Sequence, residues 1–559
     1  MSVSAPPISD TEPADESSPS RVAAALAWVD QRLETLSDYI NPILVKETRQ
    51  ALKSQQFVLW YLLLLAGCWV VTMGGLAVIG PAAYYGAFGG QLFLWYAWIL
   101  SFPLLVVAPF SAFRSLAAEQ EENTRDVLTV SALSPFQVVN GKLGSAALQV
   151  AIYLSAMAPC LGFAYLLRGV DALTLLLLPA LGVLASLGLS LVGLLLASLT
   201  RLRYLQILIN VAFITLLLLL FYNCFAVIEE FVDNGFRMYQ AEEFWLGLGM
   251  IFTAYATTFL LAYFLAVAAN TFTSANRSTH LRVAMLVQQS AYIGWFAAVW
   301  IYDRDADIPI VMFVFALAYW TFAGMFLTSE GQVLSPRVRR TLPKTALGRQ
   351  LFTLLSPGPG TGYFFVMGNL TYLMLLTFTA SVFSRRGGPS ISGVPLLWVL
   401  CVALAYAAAY LGLGRIIILL VRRVAELSLF GGFLVHVLLM LAGGSLPFAI
   451  EASSSMFRRE GFSYLDVPSP VAVMLHLERG DLSDVEAVTT GVIVIGAATC
   501  LLLVNLVLAA GELRQTRLPL PQRIIEDELA KAARPVRASN PWGDTTAAPP
   551  TQDAAADGA

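Results

Sequence analysis

Charge is scarce in this sequence. Asp, Glu, Lys and Arg make up 13% of its 559 residues, where a soluble domain carries about 25%, and the long apolar runs hold almost none of that charge. A water-soluble globular fold is excluded on this ground. The net charge of −3 leaves no basic footprint, so nucleic acid is not an expected partner. The three histidines are scattered, which argues against a metal site. The five cysteines, Cys68, Cys160, Cys224, Cys401 and Cys500, lie in or at the ends of apolar runs, with no CxxC pair. They read as small helix-packing residues rather than ligands or disulfide partners. A phosphate-binding P-loop is also missing. The one Gly-Lys pair, Gly141-Lys142, is followed by Leu143 and has Phe136 where the first glycine must stand. The chain is therefore expected to be no ATPase, and no cofactor is expected in it. Residues 1–20, acidic and rich in Pro and Ser, have neither the basic nor the apolar region of a cleavable signal.

What the sequence does have is apolar length. Hydrophobic residues reach 57%, and mean hydropathy is +0.70. Runs of about 20 apolar residues, enough to cross the hydrocarbon as a helix, recur along the chain. The expected fold is all-α: a polytopic integral membrane protein with about 12 transmembrane helices. The spans are expected near 57–79, 91–113, 145–167, 173–199, 205–228 and 245–269, then 283–302, 308–328, 364–383, 394–420, 427–450 and 488–510. A short link joins 283–302 to 308–328. The domain reading is a disordered tail over 1–20, interface helices over 21–56, a six-span unit over 57–270, a second six-span unit over 271–510, and a largely disordered tail over 511–559.

Lys and Arg concentrate in alternate loops, among them Lys46, Arg49, Lys53, Arg114, Lys142 and the run Arg337 to Arg349. The opposite loops carry acidic clusters such as Glu229, Glu230 and Asp233. The positive-inside rule then places both termini in the cytoplasm, in a multi-pass protein of the cell (inner) membrane. Few polar groups fall within the spans. Arg415, seven residues before Arg422, is expected to snorkel to the cytoplasmic surface. His436 is expected to be hydrogen-bonded packing rather than a proton relay, and Asn210, Asn369 and Asn505 to make helix contacts. Ser356 to Tyr363, rich in Gly and Pro, reads as a turn into the ninth span.

Two loop segments hold more order than a linker needs. Val22, Leu26, Val29, Leu33, Leu36 and Ile40 form one helical stripe. Asn41-Pro42 then restarts a helix, with Asn at the cap and Pro in the first turn, carrying Lys46, Glu47, Arg49 and Lys53. Between the second and third spans, Thr124 is placed to start a short helix with Asp126 in its first turn, and Ser134-Pro135 to cap another that runs through Gly141-Lys142 into the third span.

That loop resembles the one between the second and third spans of ABC-2 type transporter permeases. Their order is a Glu, Gly-Thr, an acidic residue, a Leu pair, Thr-Pro-Leu-Ser and later Gly-Lys. Glu121, Thr124, Asp126, Leu128, Leu133, Ser134, Gly141 and Lys142 match it, while Asn123 replaces the usual Gly and Ser131-Ala132 the usual Thr-Pro. The helix from Asn41 to Phe57 is similar to the family's interface helix, and the resemblance covers about residues 40–270. It implies a permease subunit, an exporter, driven by a separate cytoplasmic ATP-binding cassette ATPase that grips this loop, with a second permease or a homodimer and membrane lipid as further partners. The residues it implies for coupling are Glu121, Thr124, Asp126, Leu128 and Lys142, with Lys46, Glu47 and Arg49 on the interface helix. The alternatives from other classes are a membrane scaffold without transport activity and an ion-coupled carrier, the latter weakened because no pair of carboxylates sits mid-membrane. The second six spans do not repeat the loop motif.

Overall fold

The computed structural model describes residues 41–80, 86–121, 134–199, 203–272, 275–331, 345, 353–384, 390–391, 394–453, 462–480, 482–517 and a few positions between 523 and 530. The predicted tail 1–20, the stripe from Val22 to Ile40, the short helix after Thr124, the basic run 337–344 and the last residues of the 511–559 tail lie outside them.

The described chain is almost entirely helical. The elements are α1 (Pro42–Lys53), α2 (Gln55–Ile79), α3 (Gly89–Phe102), a π-helical turn (Pro103–Val107), α4 (Ala108–Glu121), α5 (Pro135–Leu166), α6 (Ala172–Ser198), α7 (Arg203–Met238), α8 (Glu242–Asn270), α9 (Thr279–Asp303) and α10 (Asp307–Leu327). There follow α11 (Pro359–Val382), α12 (Leu396–Val421), α13 (Leu429–Ser453), the short α14 (Pro470–Arg479) and α15 (Asp484–Arg517). Two-residue strands at Ser390–Ile391 and Val394–Pro395 are the only extended elements among the described residues. Eleven helical segments are long and apolar enough to cross a membrane, α3 and α4 counting as one through the π turn. A twelfth, α13, has 25 residues and an apolar stretch from Leu429 to Ser445. The protein is thus an all-α, multi-pass membrane protein, and the twelve apolar runs read from the sequence correspond to these twelve helical segments.

Local chemistry explains the joints. The short link between α9 and α10 closes because Arg304 takes a left-handed conformation with φ of 57°, its N–H donates to Trp300 O, and its guanidinium stacks 4.4 Å from the Trp300 ring. Within the second span, Pro103 has no N–H to donate. The helix meets this with a π turn, in which the Ala108 N–H reaches back five residues to Pro103 O. Ser356 to Gly358 form the expected turn, where Gly358 N–H donates to a Glu330 carboxylate oxygen at 2.8 Å, and α11 starts at Pro359.

The described chain divides into two compact units, and the whole of 57–270 falls in the first, which extends to Ala316 and includes Leu373–Ile391 and Pro395–Leu397. Its core is the packing of α2, α3 and α5 around Phe93, Tyr96, Tyr153 and Met157, all fully buried. Cys68 lies in this core, 3.3 Å from the Met157 sulfur, and all five cysteines are unpaired thiols. A second cluster joins α4, α5, α6 and α7 through Phe113, Leu116, Ala146, Leu194 and Phe213. The start of α3 presses on the turn after α5. Gly89 N–H donates to Arg168 O at 2.7 Å, and a Cβ there would lie 2.1 Å from Ala164 O and 2.2 Å from Arg168 O.

The second unit comprises Leu317–Tyr372, Ser392–Val394 and the chain from Trp398 onward. It places polar groups inside the helices. Arg415 is fully buried and donates to Asn505 O at 3.1 Å and Asn505 Oδ1 at 2.9 Å. The expected snorkelling is overturned: these acceptors on α15 hold the guanidinium inside the unit, away from the surface. Asn505 also donates to Gly412 O, as a helix contact should. Asn369 instead donates to Phe365 O on its own helix. His436 is buried against Gly414, with Nε2 2.8 Å from Thr328 Oγ1. Arg422 donates to the carbonyls of Ser329 and Glu330, just past the end of α10. Tyr406 and Tyr410 donate to the carbonyls of Val467 and Pro468, which seats the segment leading into α14.

Gly89→Val drives a side chain into two carbonyl oxygens. It is expected to cost about 1–3 kcal/mol or more and to lower the thermal unfolding midpoint in detergent. At Gly74, within α2, a Cβ meets nothing within 4 Å. Gly74→Ala in the same assay is expected to leave the midpoint unchanged or raise it.

Candidate functional site

Three helices meet at the Lys142 end of the first unit, and their sequences dictate how. α1 begins where Asn41 Oδ1 accepts from Ile43 N–H, with Pro42 needing no partner for its nitrogen. α5 begins with a reciprocal capping box. The Ser134 hydroxyl accepts from Gln137 N–H, and the Gln137 side chain accepts from Ser134 N–H at 2.8 Å. Both starts are those expected from the sequence. With 32 residues, or about 48 Å at 1.5 Å per residue, α5 is longer than a bilayer core requires. Its first turns provide the surface on which α1 lies.

The seam between α1 and α5 is close because α5 has glycines there. A Cβ on Gly141 would lie 2.7 Å from Ile43 Cγ2 and 3.0 Å from Leu44 N, and one on Gly144 would lie 2.9 Å from Leu44 Cδ1. Asn41 Nδ2 donates across the seam to Gln137 O. Ile43 and Glu47, one turn apart on α1, are therefore buried. Lys46, Arg49 and Lys53, at spacings of three and four, lie on its exposed face.

Inside the seam is a cluster of charge. The Lys142 side chain is 1% exposed. Its Nζ lies 3.0 Å from Glu47 Oε1 on α1 and 3.1 Å from Glu119 Oε1 on α4. It also donates to Ser115 O at 3.3 Å, one turn before Glu119. Lys46, about half exposed, closes the group from outside, with Nζ 3.4 Å from Glu119 Oε1 and 3.9 Å from Glu47 Oε1. Two cations and two anions thus balance in a largely dry pocket and tie α1, α4 and α5 together. The arrangement stores consequences rather than net stability. An intact buried ion group is near neutral against apolar packing, but loss of one member strands the others and costs about 3–5 kcal/mol.

The start of α5 is anchored on its other side as well. Phe136 packs edge-on against Phe264 and His280 with ring centroids 6.5 Å and 5.8 Å apart. Tyr263 OH donates to Asn140 Oδ1 at 2.8 Å. The loop between the second and third spans therefore leaves α4 after Glu121, two residues past the charge cluster, and re-enters at the capped Ser134, where Phe136 and Asn140 anchor the first turns of α5.

The residues selected from the sequence separate as follows. Lys46, Glu47 and Lys142 come together in one cluster. Arg49 is exposed on the outer face of α1. Glu121 is the last residue of α4. Thr124, Asp126 and Leu128 lie outside the described residues. Sequence reasoning missed Glu119, the second carboxylate on Lys142, and Ser115 behind it. Their signal was a Ser and a Glu four apart at the loop end of an apolar helix, which alone does not differ from a solvated face. Burial of Glu47 and Lys142 places them between helices, where they act on α1 and α4 rather than on a surface.

Lys142→Met is expected to leave Glu47 and Glu119 facing one another with only the half-exposed Lys46 at their outer edge. The loss is about 3–5 kcal/mol, read as a lower unfolding midpoint and as protease cleavage near Ser54. The triple variant Lys142→Met, Glu47→Leu, Glu119→Leu is expected to recover most of the midpoint. No family model, no curated protein and no solved structure matches this chain.

Proposed function

We propose that the chain is the membrane-spanning permease subunit of an ABC-2-like ATP-driven transporter, working outward and coupled to a separate ATP-binding subunit. The observation that carries the reading is the charge-locked platform of α1, α4 and α5 at both ends of the loop between the second and third spans. A plain linker needs no buried lysine, no reciprocal cap and no glycine seam. A surface that must pass force from a partner into the spans does need a rigid joint. Arg49 and Lys53 remain exposed on α1 and are the contacts offered there to the ATPase, and Glu121, Thr124, Asp126 and Leu128 are the loop residues assigned to the same partner.

The mechanism follows from the connections. Force on the loop acts on the ends of α4 and α5 together, because Lys142 holds Glu119 and Glu47 at once. α4 continues into α3 only through the π turn at Pro103–Val107. There the regular hydrogen-bond ladder is interrupted and bending is easiest. Motion of the loop end would thus tilt α4 about this turn while α3 stays in its core. With the loop on the cytoplasmic side, as the Lys and Arg distribution indicates, ATP chemistry belongs to the partner and this chain supplies the path through the inner membrane.

The test is capture of an ATP-binding cassette protein by the tagged full-length chain. Glu121→Lys with Asp126→Lys is expected to reduce capture at least tenfold, about 1.4 kcal/mol, with an unchanged unfolding midpoint. Capture that is unaffected, or absent with the unaltered chain, removes the coupling assignment and favours a scaffold. Uptake driven by a proton gradient without ATP would favour a carrier.

A further inference from the structure

The first unit holds a cavity of about 790 Å³ walled by α3, the π turn, α5, α6, α7 and α8. No charged residue lines it. Its few polar side chains are already engaged elsewhere. Ser101 Oγ donates to Trp98 O, Tyr255 OH to Leu184 O and Asn223 Nδ2 to Leu219 O, while Thr258 Oγ1 accepts from Gln288. A sugar or peptide entering here would lose its bonds to water and find few in return. Water gains little from such walls, and a void of this size left empty would be very unfavourable. Along α6 the lining runs from Leu178 to Val192, about 21 Å at 1.5 Å per residue, a length that suits one acyl chain.

The way in is lateral. α7 and α8 are consecutive, and each packs on α6 but scarcely on the other. They meet at the Tyr239 turn, where Phe244 packs against Phe231 and Tyr239 at 6.2 Å and 5.3 Å between ring centroids. Away from that turn they splay. Val227 on α7 and Ile251 on α8 line the cavity and are still 49% and 66% exposed. Val227 stands at the end of its expected span, beside Glu229 and Glu230, while Ile251 and the cavity-lining Leu220, still 38% exposed, lie deeper in theirs. The mouth thus runs from the outer boundary of the hydrocarbon inward, and the molecules available there are membrane lipids.

We infer that this cavity takes an acyl chain of a membrane phospholipid, admitted between α7 and α8. Resting on the permease reading, it also assigns the transported substrate to the lipid class, with the head group left outside the cavity.

The experiment places the full-length chain in phosphatidylcholine vesicles that contain a phosphatidylcholine with a diazirine in mid-acyl chain, and maps the photo-adducts by peptide sequencing. Adducts are expected on cavity residues of α6, α7 and α8. Ala185→Trp, which fills the cavity, is expected to lower them at least tenfold while adducts on the exposed face of α2 stay constant. Val227→Trp at the mouth provides a second variant should Ala185→Trp fail to fold, as judged by gel filtration and unfolding midpoint. Adducts spread over exposed faces alone, or cavity adducts that neither folded variant reduces, overturn the inference. No ATP-binding protein is present, so failed partner capture with intact cavity labelling counts against the permease reading alone. Absent cavity labelling with intact capture counts against the lipid site alone.

Discussion

A single buried ammonium holds the loop end of the first unit together. Lys142 has carboxylates from two other helices at hydrogen-bond distance, and its own helix contributes the glycines that let α1 come near enough to supply one of them. The elements depend on one another in order. Without Gly141, α1 cannot approach. Without α1, Glu47 is absent and Lys142 has only Glu119 and the Ser115 oxygens. Without Lys142, the two carboxylates face each other across the seam with only the half-exposed Lys46 to offset their repulsion. Such a joint is stiff because its members are few and each is needed by the others.

The same unit is compliant elsewhere. Pro103 interrupts the ladder in the second span, and α7 and α8 diverge from their shared turn to leave an apolar chamber. Stiffness at the two ends of the loop, a soft turn halfway along one span and an open seam between two others suit the proposed division of labour. In that proposal force enters at the charged end, and the helices around the chamber are the ones that rearrange. The second unit spends its buried polar groups on tying helices together, as Asn505 does with Arg415 and Gly412.

Much of this was legible in the sequence, for physical reasons that also mark the limit. Span positions followed from apolar length, since a bilayer tolerates little else. The starts of α1 and α5 followed from Asn41-Pro42 and Ser134-Pro135, because capping is local chemistry. What depends on the facing of helices was not legible. A lysine at the end of a span looks the same whether it anchors to phosphate or is buried between two glutamates, so the burial of Lys142 could not be read. Glu119 was passed over for the same reason. Arg415 was expected to reach the surface because Arg422 is near in sequence, but distance along a helix does not say which neighbour an arginine faces. The chamber has no sequence signature, since its lining differs from lipid-facing residues only in where the helices diverge.

The shortness of α1 has a consequence of its own. Twelve residues are at or below the length at which an isolated helix persists in water. Its helical state thus depends on the surface beneath it. If a partner or a change in α5 were to lift it away, α1 would not swing aside as a rigid arm. It would melt, and Lys46, Arg49 and Lys53 would lose their common face at the same moment. Attachment and order are then one event, and the platform is present whole or not at all.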